Sequence, residues 1–478
     1  MRIAMNRVWS LAMASKVSQA QGALNTLLVR ARALEPEQRA PILAELGVLK
    51  AILLALCGRY EALETKASLF CDVSVAGVVS CIAPSVRRLA CWKQGDLGGF
   101  HAIQPVRGVT GQSVDAAVLA FDRAMEAAVE LQQLRLAVAA RLARESRSVE
   151  RGARHDSPTR SFGEIVLAEV LFEQGEISDA ETLVRDHLHR IRERGCAEVA
   201  LRLYGLLARI AVHRGNGDLA VFLLRDGVLL GESRGWDRMI AVCLQQEIEV
   251  LVRAGRIDEA GLRLDEMIAR WPNENEASEA STAMPVLLAQ CRVWLATGRA
   301  LDSVAVLTRA WQVAVARGDL YLSVQLQIRA AEALARCGRR REAVEVLLGA
   351  LEIGAGVGLH QSFVSAGADI LRLIVEALAS LSGGLQGRHF LQPYLNSLLG
   401  TVDAPGADAH DVALRGPLSF REHTILKLMR HGSSNKRIAR ELGITPETVK
   451  THAKRIFIKL GAQTRLEAVT RASSLSLI

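Results

Sequence analysis

Apolar residues recur along most of this chain at the three- and four-residue spacing of an amphipathic helix. The stretches LAEVLFEQG, IEVLVRAG and AEALARCG show this spacing, and each ends in a glycine. Such spacing puts the apolar side chains on one face of a helix, which can then pack against another helix. The pattern predicts an all-α protein in which helices pack on helices.

The glycines that end these stretches recur at a nearly constant interval. Gly175, Gly215, Gly255, Gly298 and Gly338 are 40, 40, 43 and 40 residues apart. Glycine adopts the left-handed conformation that ends a helix without steric cost. Five positions after each glycine comes a small residue: Ala180, Ala220, Ala260, Ser303 and Ala343. A second helix follows, commonly ended by a further glycine: Gly195, Gly235, Gly318 or Gly358. Because one helical hairpin cannot bury its apolar face alone, the repeat predicts a stacked, TPR-like solenoid.

The repeat divides the chain into regions. Residues 1–400 form the predicted helical-repeat region, irregular over 1–160 and regular, with a period of about 40 residues, over 161–360. Residues 401–416 are rich in Gly, Ala and Asp, a composition typical of a linker. Residues 417–478 follow as a separate small domain.

The start of the chain is less regular. Gly58 and Gly95 end two further helix-like stretches, LLALCG and ACWKQG. The chain enters a helical pattern, MNRVWSLAMA, almost directly at its first residue, which hints that an upstream region is absent. No apolar run reaches the roughly 18 residues of a membrane span, and the start lacks a signal-peptide core. We therefore expect a cytoplasmic protein without a membrane segment.

The eight cysteines form no C-x-x-C pair and have no histidine at zinc-site spacing. Most lie within helical patterns, where cysteine behaves as a small apolar residue. We expect reduced, structural thiols and no metal site.

The surplus of positive charge is confined to the end of the chain. The whole sequence has a net charge of +8, and residues 418–478 hold 12 Lys and Arg against 4 Asp and Glu. The preceding residues therefore hold 47 of each sign. A neutral body with a basic C-terminal domain indicates a polyanionic partner for that domain alone.

Four short helices are predicted in this domain from their capping residues. A capping box at Ser419–Glu422 starts the first helix, which stops at Gly432. Ser434 caps the second helix, which ends at Gly443, and Thr445 with Pro446 starts a third helix over 446–460, closed by Gly461. A second capping box at Thr464–Glu467 starts a fourth helix over 464–474. The second and third helices with the short turn between them form a helix-turn-helix motif at about 434–453.

The third helix has a buried stripe and a cationic face. Val449, Ala453, Ile456 and Leu460 fall at helical spacing on one side. On the opposite side are the candidate base-facing residues Lys450, Thr451 and Lys454. Lysine can reach guanine O6 and N7, and the threonine methyl can contact a thymine methyl. The candidate phosphate-facing residues are Asn435, Lys436, Thr448, His452, Arg455 and Lys459. For His452, packing or a phosphate contact is favoured over base reading.

The segment LSFREHTILKL…HGSSNKRIARELGITPETVKTHAKRIFIKLGAQTRLEAV closely resembles the LuxR-type helix-turn-helix of bacterial transcription regulators. The matching residues are Leu418, Arg421, Glu422, Gly432, Asn435, Lys436, Ile438, Ala439, Leu442, Thr448, Val449, Lys450, His452, Lys459, Leu460, Gly461, Arg465 and Ala468. The chain departs from the usual pattern at Phe420, Thr445 and Ala462. The resemblance implies that Lys450, Thr451 and Lys454 face bases and that helix 464–474 pairs two domains on a twofold DNA site.

The body, through LAEVLFEQGEISDAETLVRDHL and HQSFVSAGADILRLI, resembles the helical-repeat region of large MalT-like LuxR regulators. Regulators of that type normally carry an N-terminal P-loop ATPase. The chain contains no G-x-x-x-x-G-K-[ST] sequence, so no nucleotide cofactor is expected.

The leading hypothesis is a transcriptional regulator that is not an enzyme, with no cofactor. Its repeat body would sense an unknown small-molecule or protein effector, and its C-terminal domain would bind promoter DNA as a dimer. The alternative is a helical-repeat scaffold for protein–protein interaction with a vestigial DNA-binding domain. ATP-driven signalling is a third possibility, and the absent P-loop argues against it.

Overall fold

A computed structural model describes residues 2–60, 63, 78–106, 116–150, 158–272, 282–382, 389–400, 420–442, 445–460, 462 and 464–474. All regular elements within these residues are helical, which confirms the predicted all-α class. The chain divides into two compact units, one of residues 1–170 with 177–326, the other of residues 171–176 with 327–478. This division does not test the predicted boundaries at 400 and 417, which stay predictions. The predicted linker, 401–416, lies outside the described residues.

The helices are as follows, in chain order. The irregular first part contains α1 (Arg2–Met13), α2 (Val17–Arg32), α3 (Pro36–Leu56), α4 (Val78–Gln94), α5 (Leu97–Ala102), α6 (Ala116–Gln132) and α7 (Leu136–Glu150). The regular part contains α8 (Phe162–Glu173), α9 (Ile177–Val184), α10 (His187–Arg194), α11 (Ala197–His213), α12 (Gly217–Arg234), α13 (Asp237–Arg253), α14 (Ile257–Arg270), α15 (Ala283–Ala296), α16 (Ala300–Ala316), α17 (Leu320–Arg336) and α18 (Arg340–Val357). After these come α19 (Gln361–Val364), α20 (Ala368–Ser382), a 3-10 turn at His389–Leu391, α21 (Gln392–Gly400), α22 (Phe420–Arg430), α23 (Asn435–Leu442), α24 (Pro446–Lys459) and α25 (Arg465–Ser474).

The predicted turn glycines all have left-handed backbones. The φ angles of Gly175, Gly215, Gly255, Gly298 and Gly338 lie between 75° and 84°. Each glycine ends the first helix of a hairpin, and its position beyond that helix lets the chain reverse. Gly58 and Gly95, predicted from weaker signals, have φ angles of 70° and 80°. The hairpin period read from the sequence is therefore confirmed at its turns.

The small residue after each turn is fully buried. Ala180, Ala220, Ala260, Ser303 and Ala343 are each 0% exposed. A short side chain here lets the second helix of the hairpin approach the first, and Ser303 donates its hydroxyl to the Cys291 carbonyl. Successive first helices also pack on one another, α11 on α13 and α13 on α15. The hairpins therefore stack, as the solenoid prediction requires.

The hairpin that begins at Gly175 differs from the prediction. Its second helix is split into α9 and α10, with the break at Arg185 and Asp186. Just after the break, His187 Nε2 lies 2.6 Å from a carboxylate oxygen of Glu164 on α8. The closing Gly195 has φ −66°, an extended conformation open to any residue, whereas Gly235 closes α12 with φ 68°.

The thiols within the described residues are consistent with a structural role. Cys196, Cys243 and Cys291 are buried and unoxidised. Burial raises the pKa of Cys196 to about 11 and that of Cys243 to about 12. Neutral thiols in such surroundings act as small apolar side chains. Among the helices that the structure describes, none combines the length and the apolar character needed to cross a membrane.

Candidate nucleic-acid interface

Helices α22 to α25 form a small domain around an apolar core of their own. α24 packs on α22, α23 and α25, and α22 also packs on α25. The buried core residues are Ile425, Leu426, Met429, Ile438, Ala439, Val449, Ala453, Ile456, Ala462, Ala468 and Ala472. Leu442, Phe457 and Leu460 pack against this core from its margin. The predicted buried stripe of the third helix is therefore observed.

Three of the predicted start and stop residues of these helices are observed in that role. Gly432, with φ 74°, follows the end of α22. The Ser434 hydroxyl accepts a long hydrogen bond, 3.4 Å, from the Arg437 amide at the start of α23. The Thr464 hydroxyl accepts from the Glu467 amide, 3.2 Å away, at the start of α25. Ser419, Gly443 and Gly461, the other predicted start and stop residues, lie outside the described residues.

α24 presents its cationic face outward. Lys450, Thr451 and Lys454 are exposed, one turn or less apart along the helix, while Val449 and Ile456 on the opposite face are 0% exposed. An α-helix fits the major groove of B-form DNA, and residues on its outer face can reach the base edges. The three predicted base-facing residues thus lie on one exposed side of α24, and their contacts with bases stay a prediction.

Local contacts orient two of these side chains. The Thr451 hydroxyl donates to the Glu447 carbonyl, 3.1 Å away, so its methyl group is left for apolar contact. Lys450 Nζ lies 3.0 Å from the Glu447 carboxylate, and both side chains are well exposed, 61% and 79%. An exposed pair of this kind contributes only about 0–1 kcal/mol. Lys450 can therefore exchange it for a partner on DNA at small cost.

The predicted phosphate-facing residues fall into three groups. Asn435 is half-buried and Lys436 exposed, both at the positively polarised start of α23, where backbone N–H groups favour anions. The side chains of Thr448, Arg455 and Lys459 lie outside the described part of the structure. His452 is 4% exposed. Its assignment as a phosphate-facing or packing residue stays a prediction.

Sequence reasoning did not assign a role to two exposed basic side chains of α23. Arg437 and Arg440 on α23 are exposed, and with Ser434, Lys436 and Glu441 they line an open surface depression. Both arginines stand on the side of α23 opposite to the buried Ile438 and Ala439. The amphipathic spacing of NKRIAREL would have been enough to predict that both arginines are exposed.

Two other arginines fasten α25 to the rest of the domain. Arg465 donates to the carbonyls of Ser433, at 2.6 Å, and Met429, at 3.2 Å. Arg471 donates to the carbonyl of Leu460, 3.0 Å away, just beyond the end of α24. The acceptors are carbonyls in the last turn of α22, in the turn between α22 and α23 and at the end of α24. These bonds fix the fourth helix against the turn before α23 and against the end of α24.

Comparison with known proteins agrees with both parts of the chain. Residues 416–472 match the family described as "Bacterial regulatory proteins, luxR family". Over 74% of its length, the chain is also similar to the solved structure described as "Crystal Structure of Rap Protein Complexed with Competence and Sporulation Factor". That likeness covers 98% of the Rap chain with a TM-score of 0.55 and 14% identity, which shows a shared helical-repeat fold alone. The chain thus carries a LuxR-family helix-turn-helix domain at its C-terminal end and a TPR-like helical body, an organisation consistent with a MalT-like LuxR regulator.

Proposed function

We propose that this chain regulates transcription by reading a specific promoter sequence through α24, inserted in the major groove. The exposed face of α24 carries this proposal, because two lysines and a threonine methyl project from a helix whose other face is fixed by the domain core. The LuxR-family match of the same residues supports it. The proposal assigns no catalytic reaction and no cofactor to the chain.

In this assignment Lys450, Thr451 and Lys454 contact base edges. Asn435, Lys436, Thr448, His452, Arg455 and Lys459 contact phosphates. We propose the same role for Arg437 and Arg440, whose exposure on α23 supports it. The α23 helix precedes the reading helix, and the first helix of such a motif crosses the DNA backbone. A row of cations on its outer side is therefore suited to phosphate contact.

We further propose that two copies bind a twofold site through α25. Leu466 on this helix is 77% exposed, an apolar side chain on the outside of an otherwise well-packed small domain. Pairing across α25 would cover it. Because Arg465 and Arg471 fasten α25 to its neighbours, pairing through it would hold two copies of α24 at a fixed separation.

The test is a pair of substitutions with a matched control. Lys450→Ala and Lys454→Ala should each weaken binding to the preferred site by about 1–3 kcal/mol and relax its sequence preference. Lys427→Ala removes the same charge from an exposed position on α22 and should leave the preference unchanged. Footprinting and a titration on the DNA upstream of the gene would measure this. Unchanged specific binding in both α24 variants would show that other residues read the bases.

The phosphate contacts have a separate signature. Arg440→Ala should weaken specific and non-specific binding alike, and the dependence of log K on log salt should fall by about one phosphate equivalent. Glu441→Ala, at the adjacent exposed position, is the control. A loss confined to the specific site would assign Arg440 to base reading instead.

For the repeat body we propose binding of an effector, a small molecule or a protein. The related Rap structure is of a complex with competence and sporulation factor, which supports a ligand- or partner-binding role for this fold.

The second candidate function is a protein-interaction scaffold with a vestigial DNA-binding domain, and the size of the repeat region favours it. Its test is isolation of a stoichiometric protein partner together with transcription measured after deletion of residues 417–478. A partner with unchanged transcription would support the scaffold function.

A further inference from the structure

Three large apolar side chains lie exposed on the outer side of α12. Leu219, Phe222 and Leu229 are 43%, 67% and 63% exposed. Helical spacing places them in one stripe, about 15 Å long at a rise of 1.5 Å per residue. A single exposed apolar residue is ordinary on a protein surface, whereas several on one helix face mark an interaction surface. The stripe is therefore a candidate for contact with a partner.

The corresponding positions of the other hairpins differ from this stripe. At the seventh position after the turn glycine every hairpin has an exposed residue, in chain order Thr182, Phe222, Leu262, Ala305 and Glu345. At the fourth position the residues are Asp179, Leu219, Glu259, Asp302 and Glu342. An acidic residue in the first turn stabilises a helix, so Leu219 replaces a favourable charge. Large apolar residues at these positions are confined to the second and third hairpins.

Helix α14 extends this surface. Three ion pairs hold it beside α12: Asp218 with Arg256 at 3.4 Å, Glu232 with Arg270 at 2.9 Å, and Arg225 with Glu259. Because the partners follow one another in the same order on both helices, the helices run in the same direction. Leu262 of α14 is 70% exposed and lies next to the stripe of α12. We call Leu219, Phe222, Leu229 and Leu262 the α12–α14 apolar surface.

The charged residues around this surface are predominantly acidic. Residues 217–234 and 256–270 hold seven Asp and Glu against five Arg. Four of these arginines pair with acids: Arg225, Arg256, Arg263 and Arg270. Within the part of the chain that the structure describes, Asp258 and Asp265 are exposed and form no ion pair. A partner therefore meets an apolar surface with an acidic rim.

We propose that the α12–α14 apolar surface binds an amphipathic helix of a protein partner, whose apolar stripe packs on Phe222 and Leu262 and whose lysines or arginines lie beside the acidic rim. A helix fits because the side-chain ridges of one helix pack into the grooves of another. Basic residues fit because opposite charges at a rim favour the right partner and disfavour acidic competitors. The inference rests on the proposed function in one respect, that the effector of the body is a protein.

A second copy of the chain fits this surface less well. Two copies joined through the same surface would place the acidic rim of one against the acidic rim of the other. Like charges opposed in this way weaken association. Charge therefore favours a basic helix of a different protein.

Two synthetic peptides, each as long as α12, test the choice of partner. Both have leucine at amphipathic spacing, and the remaining positions are lysine in one peptide and glutamate in the other. Titrated with the full chain at low salt, the labelled lysine peptide should bind at least about tenfold more tightly than the glutamate peptide. Added salt should weaken its binding, because salt screens the rim charges. Absence of binding, or equal binding of both peptides, would overturn the proposal.

Two variants locate the binding on this surface. Phe222→Ala and Leu262→Ala introduce the residue that the fourth hairpin has at this position, Ala305, so the fold should tolerate them. Each should weaken binding of the lysine peptide by about tenfold, because a large apolar side chain is no longer buried. Val29→Ala on α2 is the control, since Val29 is also 67% exposed. With helicity verified by circular dichroism, unchanged binding in both α12–α14 variants would reject this surface.

The rim has its own test. Asp258→Asn combined with Asp265→Asn should weaken the lysine peptide by about threefold to tenfold and reduce the salt dependence. Glu345→Gln, which removes an exposed acid from α18, is the control. An equal loss in both variants would assign the binding to overall charge and overturn the proposal.

Sedimentation of the chain without peptide or DNA tests the competing occupant. A dimer that Phe222→Ala abolishes would identify a second copy on this surface and overturn the proposal, whereas a monomer agrees with it. Failure of the titrations would reject this surface alone. The proposed DNA reading and effector binding are measured separately, by the footprint and by isolation of an effector.

Discussion

At the scale of single residues, the charges buried within the repeats matter most for stability. Glu247 on α13 is 0% exposed, and its carboxylate binds Arg225 of α12 at 2.7 Å and Arg263 of α14 at 2.9 Å. Removing one partner of a buried ion pair leaves an uncompensated charge and costs far more than the pair itself contributes. Glu247 therefore links α13 to α12 and α14 through two ion pairs that share its carboxylate.

We expect Glu247→Ala to lower the free energy of unfolding of the body by about 1.5–3 kcal/mol, since two arginines, 43% and 22% exposed, each lose one hydrogen-bonded anion but keep another. Glu266→Ala is the matched control, because Glu266 also pairs with Arg263 but is 41% exposed. Its loss should cost about 0–1 kcal/mol. Urea denaturation followed by circular dichroism would compare the two, and equal effects would show that the burial of Glu247 has no energetic weight.

At the scale of the elements, hairpin turns and helix interiors make opposite demands on glycine. Gly255 ends α13 with φ 75°, whereas Gly261 lies inside α14. A Cβ at either position would meet open space, so steric crowding does not distinguish them. What differs is the backbone conformation, left-handed in one and helical in the other.

Alanine should therefore have opposite effects at these two sites. Gly255→Ala should destabilise the body by about 1–2 kcal/mol, the cost of a left-handed residue with a Cβ. Gly261→Ala should stabilise it by about 0.5–1 kcal/mol, because alanine loses less conformational freedom in a helix. Thermal unfolding of both variants would decide, and a shift of the same sign in both would contradict the assigned turn.

At the scale of the whole molecule, the charge is partitioned between a neutral body and a basic end. The 47 basic and 47 acidic side chains before residue 418 give the body no net attraction for a polyanion. Non-specific DNA binding depends mainly on the number of phosphates that cations neutralise. The cations that neutralise phosphates must therefore come from the last 61 residues.

A chain shortened by residues 417–478 should lose non-specific DNA binding altogether. The full chain should show a log K that falls linearly with log salt, by about 0.9 per phosphate neutralised. Circular dichroism should show that the shortened chain is still helical, which separates loss of the domain from loss of folding. Residual salt-sensitive binding would place a second DNA-binding surface in the body.

The sequence was sufficient to predict the features that local chemistry determines. The turn at Gly215, the buried Ala220 and the inner stripe of α24 with Val449 and Ile456 follow from glycine conformation and helical spacing. Lys450 and Lys454 are exposed for the same reason. The comparisons confirm the fold class and the family of the C-terminal domain, whereas the individual DNA contacts stay predictions.

The features that escaped prediction depend on tertiary packing. The buried carboxylate of Glu198 contacts Tyr60, Lys93 and Arg238, and no periodicity in the sequence links these residues. The break between α9 and α10 could not be predicted, because residues 177–194 contain no proline or glycine.

The left-handed hairpin turns have a consequence for the gene. Every single-base change at the first two positions of a glycine codon introduces a side chain or a stop, and of these side chains only aspartate adopts a positive φ with any frequency. We therefore expect most point mutations to be deleterious at the codons of the five turn glycines, Gly175, Gly215, Gly255, Gly298 and Gly338. In a scan of all point mutations, the fraction of deleterious substitutions should therefore peak about every 40 codons, which is the spacing of the turn glycines.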